Sequence, residues 1–187
     1  MADLDAARQL LLRELREHAL VIDDVTLSSG QKAGYYVDAR RALLRPAGFR
    51  AVGELIAAAA DDIGAVAVGG PVMAAIPLAC AAIAVPAGNG LVGFFVRKER
   101  KEHGLQRWVE GPVTAGDRCL VVEDTVTTGG STAGAIERIR EEGLEVAGVL
   151  AVVDRSAGGG ERLEAAAGAP YRALITIDEL YPERPDR

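Results

Sequence analysis

Positive charge is scarce in this chain: 21 Lys and Arg stand against 27 Asp and Glu in 187 residues, a formal net charge of -6 at pH 7. A nucleic-acid binder needs a basic face for its phosphate contacts, so this balance argues against one. Cysteine is scarcer still. The two present, Cys80 and Cys119, lie in apolar stretches with no nearby His or Cys, and both read as buried thiols rather than metal ligands or disulfide partners. No secretory apolar run precedes a cleavage site. The first residues, A-D-L-D-A-A-R-Q-L-L-L-R-E-L, read instead as an amphipathic helix, so a cytoplasmic protein with no membrane partner is expected. No internal repeat is visible, and no linker is long enough to separate domains.

What the chain does have is apolar material, 49% of its residues and rich in Ala and Val. A single domain of this length buries about two-thirds of the surface its unfolded chain exposes. Leu4, Leu11, Leu12 and Leu15 share one face of a first helix ending before Val21, with His18 as a charge partner near its end. Two short strands around a glycine-containing turn are expected in V-T-L-S-S-G-Q-K-A-G-Y-Y-V-D-A-R-R, forming a flap over about 20–45. Pro46 opens a helix to about Asp62, and Ala65–Gly70 reads as the first core strand. Gly69, Gly70 and Pro71 then suggest a tight turn into a helix over Val72–Ala84. Leu91–Val96 is a further strand, followed by the charged run R-K-E-R-K-E-H at Arg97–His103. Next come strands at Leu120–Val122 and Glu145–Asp154, a helix from Ser131 to about Glu142 ended by Gly143, a helix around Glu161–Ala167 and a strand near Tyr171–Ile177. This alternation predicts an α/β fold, an open and mostly parallel sheet with helices on both faces, spanning 46–187 behind the flap.

The most informative stretch is R-C-L-V-V-E-D-T-V-T-T-G-G-S-T-A at Arg118–Ala133. Its strand ends in two acids, Glu123 and Asp124, at the carboxyl edge where such sheets bind ligands. Thr125, Thr127, Thr128, Gly129, Gly130 and Ser131 then offer hydroxyls, close backbone approach and a helix N-terminus, an anion site in outline. It is not a Walker loop, since the G-x-x-x-x-G-K-[ST] lysine is absent. The carboxylates would repel a bare phosphate, so they should face hydrogen-bond donors, as a ribose diol supplies. A ribose 5-phosphate fits both halves. The charged run, alone, would be a solvated loop; beside a phosphate site it becomes a source of cations for a diphosphate.

V-V-E-D-T-V-T-T-G-G-S-T resembles the signature loop of the type I phosphoribosyltransferases, which bind 5-phosphoribosyl 1-diphosphate (PRPP). Four further stretches resemble the orotate phosphoribosyltransferases within that family: Thr26–Arg40, Gly70–Ala79, F-V-R-K-E-R-K-E-H-G at Phe95–Gly104, and V-V-D-R at Val152–Arg155. The resemblance implies the type I fold with a small N-terminal flap or hood, and transfer of ribose 5-phosphate from PRPP to orotate. It implies that Arg97, Lys98, Lys101 and His103 bind the diphosphate, and that Glu123, Asp124, Thr125, Val126, Thr127, Thr128, Gly129, Gly130 and Ser131 hold the ribose 5-phosphate. Tyr36, Val37, Thr127 and Arg155 would contact orotate, with Lys101, His103 and Asp124 nearest the chemistry. Mg²⁺ would be held mainly by PRPP and water, with no direct protein ligand, and a homodimer is implied in which the Arg97–Gly104 loop reaches the neighbouring site. Two departures stand out: many members have lysine at the position of Ser28, and Tyr-Lys in place of Met73-Ala74. Lys32 on the flap is then the candidate to replace one lost charge. A phosphoribosyltransferase for another base and a PRPP-sensing regulator remain as alternatives at this point.

Overall fold

A computed structural model of the chain describes residues 3–22, 25–26, 32–88, 90–100 and 107–187. Helix α1, Leu4–His18, starts where the Asp3 carboxylate accepts from the Ala6 N–H at 3.0 Å. It buries Ala7, Leu11, Leu12 and Leu15, while Leu4 in its first turn stays exposed. His18 ends it with its ring 3.7 Å from the Glu17 carboxylate and 3.9 Å from that of Glu14.

The flap is more divided than one hairpin. Strands β2, Val25–Thr26, and β3, Lys32–Ala33, pair antiparallel as expected. The tyrosine-bearing piece instead forms β4, Tyr36–Val37, which pairs back onto β1, Leu20–Val21. Helices α2, Arg40–Leu43, and α3, Pro46–Asp62, lead into the core, with Pro46 in the first turn of α3 where its missing N–H costs nothing.

Six strands form the main sheet: β5, Ala67–Pro71; β6, Val92–Val96; β7, Val109–Glu110; β8, Arg118–Val126; β9, Glu145–Asp154; and β10, Tyr171–Thr176. Their order is β10-β9-β8-β5-β6-β7, parallel throughout except for β7, which runs antiparallel to β6. The chain steps outward from β5 to β6 and then returns to β8 on the other side, so a topological switch point lies at the carboxyl ends of β5 and β8. Helices α4, Ala75–Ala84, α5, Gly130–Glu141, α6, Gly159–Ala167, and the short α7, Ile177–Leu180, complete the chain.

Both faces of the sheet are covered, which explains the unbroken apolar runs in its central strands. Leu120 and Val122 of β8 pack with α1, α3 and α4 in one buried cluster. Cys119 and Val121 pack with α5 and α6 in the other.

Several expectations need correction. Gly69, Gly70 and Pro71 belong to β5, not to a turn, and α4 begins only at Ala75. The glycines are there for close packing: a Cβ at Gly69 would strike the Phe94 carbonyl oxygen, and one at Gly70 that of Val122. Cys80 is exposed, because α4 packs through Ala75, Leu78, Ala79, Ala81 and Ala82 and leaves Cys80 on its outer face. Cys119 is buried as expected, and burial pushes its thiol up to about 12. The last strand stops at Thr176, which caps α7 in a reciprocal pair with Glu179.

Candidate active site

Strand β8 continues to Val126, so Glu123 and Asp124 lie inside its hydrogen-bonded ladder rather than beyond it. Neighbouring strand residues face opposite ways. Glu123 turns towards α5, is 6% exposed, and accepts a 2.6 Å hydrogen bond from the Thr132 hydroxyl. Asp124 turns towards the flap, where the Arg40 guanidinium lies 3.8 Å away and also contacts Asp38 at 3.0 Å. Burial pushes the Glu123 carboxyl up to about 7, against the Thr132 hydrogen bond that pulls it down. Burial also raises Asp124, with the Thr125 N–H and Arg40 opposing. Two desolvated carboxyls side by side gain from any ligand that donates hydrogen bonds to them.

After β8 the chain turns at once into a helix. Thr125 is half-buried and Val126 is buried among core residues, so Val126 has only its backbone to offer a ligand. Thr127, Thr128 and Ser131 are exposed. Gly129 is the residue before α5, with φ +70°, and no side chain caps the helix. That conformation favours glycine, and a Cβ there would also press on Leu163 of α6 at 2.9 Å. Ser131 is thus inside the first turn, not a cap, and the uncapped N–H groups are available to an anion. Arg162 of α6 lies over this turn, its guanidinium 3.6 Å from where a Cβ on Gly130 would sit.

Arg155 follows β9 and donates its N–H to the Val126 carbonyl at 2.9 Å, which fixes it at the same sheet edge. Its guanidinium lies over the Tyr35 ring, 5.2 Å from the centroid. Of the expected base-packing pair, Tyr36 is 37% exposed and Val37 is buried. Arg97 and Lys98 leave the carboxyl end of β6, with Arg97 3.5 Å from Glu110 on β7. Lys101 and His103 lie outside the described residues, as does Ser28; of Lys32 only the backbone, in β3, is described. Met73 and Ala74 occupy the turn after β5, where the Val72–Met73 peptide is cis and the Met73 side chain is 71% exposed.

Sequence reasoning missed four contributors. Arg40 closes a motif that drew attention for other residues, and Thr132 sits one residue past the loop. Tyr35 is adjacent to the expected pair. Trp108 is gripped at the stem of the charged run: its backbone N–H donates to Glu142 at 2.8 Å and its indole N–H to Glu141 at 2.9 Å. Arg138 lies 4.3 Å from its ring centroid, Arg100 5.4 Å.

A phosphoribosyl transferase domain model matches residues 40–167 of the chain. The orotate phosphoribosyltransferase of Streptomyces avermitilis is 48% identical over 179 residues, covering 95% of this chain and 98% of the relative. The chain belongs to the orotate phosphoribosyltransferase family. The crystal structure of Mycobacterium tuberculosis orotate phosphoribosyltransferase superimposes with a TM-score of 0.85 at 41% identity, covering 94% of this chain and 99% of that one. A second crystal structure of that enzyme, in complex with PRPP, superimposes at 0.80 with 37% identity, over 93% and 98% of the two chains. The family's type I phosphoribosyltransferase fold is therefore the fold seen here, with its open sheet edge carrying Glu123, Asp124, the Thr127–Ser131 loop and Arg155.

Proposed function

We propose that this edge transfers ribose 5-phosphate from PRPP to N1 of orotate, giving orotidine 5′-monophosphate and diphosphate, a step of pyrimidine nucleotide synthesis. One observation carries the reading: an uncapped helix N-terminus, a buried carboxyl beside a half-buried one, and an arginine lie at the ends of two adjacent strands. The helix turn at Thr127–Ser131 suits the 5-phosphate. Asp124 and Glu123 suit the ribose hydroxyls, whose donated hydrogen bonds favour the charged carboxylates that burial disfavours. Arg155 suits the orotate carboxylate, a planar fork for a planar anion, with Thr127 and the Tyr36–Val37 strand around the ring.

Breaking the C1–O bond leaves positive charge on the ribose ring and negative charge on the departing diphosphate. Arg97, Lys98, Lys101 and His103 stabilise the leaving group, and Asp124 with Glu123 the developing ring charge. The charge of orotate sits on its carboxylate, so the N1 proton leaves as the N1–C1 bond forms and passes to water or the departing diphosphate; no side chain is assigned as its general base. Among the described residues no group of three or more His, Cys, Asp or Glu could hold a metal ion. Asp124 and Glu123 are the carboxylates that would stand beside a Mg²⁺ ion carried in with PRPP, which would supply charge neutralisation for the diphosphate.

The whole chain acts as one domain, flap over core, in the cytoplasm; among the described residues no helix is long and apolar enough to cross a membrane. It works as a homodimer, each Arg97–Gly104 loop serving the partner's site. The exposed outer face of α4, which begins at the same sheet edge and bears no charge, supports this.

The test is near-ultraviolet absorbance of orotate with the protein, PRPP and Mg²⁺, uracil and the purine bases run in parallel. PRPP-dependent loss of the orotate signal, abolished in Lys101→Ala, is the expected result. Turnover of another base but not orotate would overturn the assignment.

A further inference from the structure

Tyr35 carries no role in the chemistry above, yet it is among the most constrained residues near the site. Its side chain is 3% exposed, although it lies in a flap of two-residue strands. Three contacts from distant parts of the chain hold it. Arg155 lies over its ring face at 5.2 Å from the centroid. Tyr181, just past α7, meets it edge-on at 5.4 Å with an interplanar angle of 82°. Its hydroxyl donates to the Asp186 carboxylate at 3.1 Å. Asp186 is itself fixed by Arg184, at 3.3 Å, and Arg184 also pairs with Asp178 of α7. Pro185 closes over the adjacent Gly34, 3.8 Å from where a Cβ would sit.

We propose that Tyr35, clamped by the Tyr181–Asp186 segment, is a positioning residue that orients the Arg155 guanidinium, so that the C-terminal segment helps select a base bearing a carboxylate. This rests on the reading of Arg155 as the partner of the orotate carboxylate. A half-exposed arginine at a strand end has many rotamers, and its bidentate grip needs one of them. An aromatic face beneath the guanidinium removes most of that freedom and leaves its edge N–H groups free to donate. Edge-on packing by Tyr181 and the hydrogen bond to Asp186 keep the ring from rotating away.

The test compares Tyr35→Leu, which removes the aromatic face, Tyr35→Phe, which removes only the hydroxyl, and Asp186→Asn, each alone and with Arg155→Ala. Michaelis constants for orotate and PRPP are measured separately, and orotidine 5′-monophosphate binding by calorimetry. Tyr35→Leu should raise the orotate constant about fivefold, the size of one partly desolvated cation–π contact. The PRPP constant should stay within about twofold. Tyr35→Phe and Asp186→Asn should show a smaller shift in the same direction, and neither disturbs packing enough to unfold the flap. In the Arg155→Ala background the effect of Tyr35→Leu on orotate should vanish, since there is no guanidinium left to orient.

Equal rises in both constants, or a Tyr35→Leu effect that persists at full size without Arg155, would reduce Tyr35 to a scaffold residue and overturn the proposal. An orotate constant unmoved by the Tyr35 variants but raised by Arg155→Ala would overturn it while leaving the role of Arg155 intact. If Arg155→Ala itself changes nothing, the carboxylate assignment falls and this inference with it.

Discussion

Glu123 shows how a residue proposed to bind ligand can oppose folding. Its carboxyl ordinarily titrates near 4.5, and burial moves it to about 7 in the folded chain. The folded state therefore holds the proton more tightly than the unfolded one. Its contribution to stability is fully present below about pH 4.5 and is lost as pH rises through about 7, an effect on the order of 3 to 4 kcal/mol. Glu123→Gln, which keeps a partner for the Thr132 hydroxyl, should raise the melting temperature at pH 8 and leave it nearly unchanged at pH 4.5, while abolishing transfer. Thermal unfolding at the two pH values without ligand checks this; a destabilised variant at pH 8 would refute it. Arg162 bears on the opposite end of the ligand. Its guanidinium lies over the uncapped first turn of α5, where a 5-phosphate is proposed to bind. Arg162→Ala should raise the Michaelis constant for PRPP roughly three- to tenfold, the scale of one exposed charge-assisted contact, with the orotate constant little changed.

At the scale of elements, α5 joins the two ends of the proposed PRPP site. Its first turn is the proposed phosphate cradle, and its last turn holds the stem of the cationic loop through Arg138, Glu141 and Glu142. The Arg138 contact is the firmer of the two cations on Trp108, since its guanidinium is closer to the ring and also donates to the Arg97 carbonyl at 2.9 Å. Arg100, at 5.4 Å and in a solvent-exposed 3.7 Å pair with Glu141, adds little. Arg138→Ala should therefore loosen the strand end that presents Arg97 and Lys98, raising the PRPP constant several-fold. Trp108 is the chain's one tryptophan, so its emission reports the change directly, shifting to longer wavelength as the ring becomes wetter. Unaltered emission with an unaltered constant would show that the grip is ornamental. Such couplings were not legible in the sequence, because Trp108 and Arg138 are thirty residues apart and neither belongs to a motif. What was legible follows from period and punctuation: α3 runs over Pro46–Asp62 and β9 over Glu145–Asp154 as their patterns required. The misreadings share a cause. Gly69 and Gly70 look like turn residues until the carbonyls of Phe94 and Val122 are seen to fill the space a side chain would take. β7 is a two-residue edge strand, too short to carry a period.

For the whole molecule the question is what covers α4. Its sequence, A-I-P-L-A-C-A-A-I-A, contains no charge, yet Ile76, Cys80 and Ile83 recur at helical spacing on its outer face, with Ile76 37% and Ile83 42% exposed. Met73, 71% exposed, extends the stripe to the carboxyl edge of the sheet beside the start of the cationic loop. A folded chain gains nothing from leaving such a stripe in water, and a twofold axis through it would carry each loop towards the partner's edge. Ile83→Glu puts a charge on that face, at the end away from the sheet edge, without touching any proposed ligand contact. Sedimentation should then show the wild type as a dimer and the variant as a monomer, with turnover falling in parallel, as the proposed service of a neighbouring site by Lys101 and His103 requires. Mixing Ile83→Glu, Lys101→Ala and wild-type chains separates the two effects. A monomeric wild type with full activity would place the loop on its own subunit, and a variant that stays dimeric would move the interface off α4.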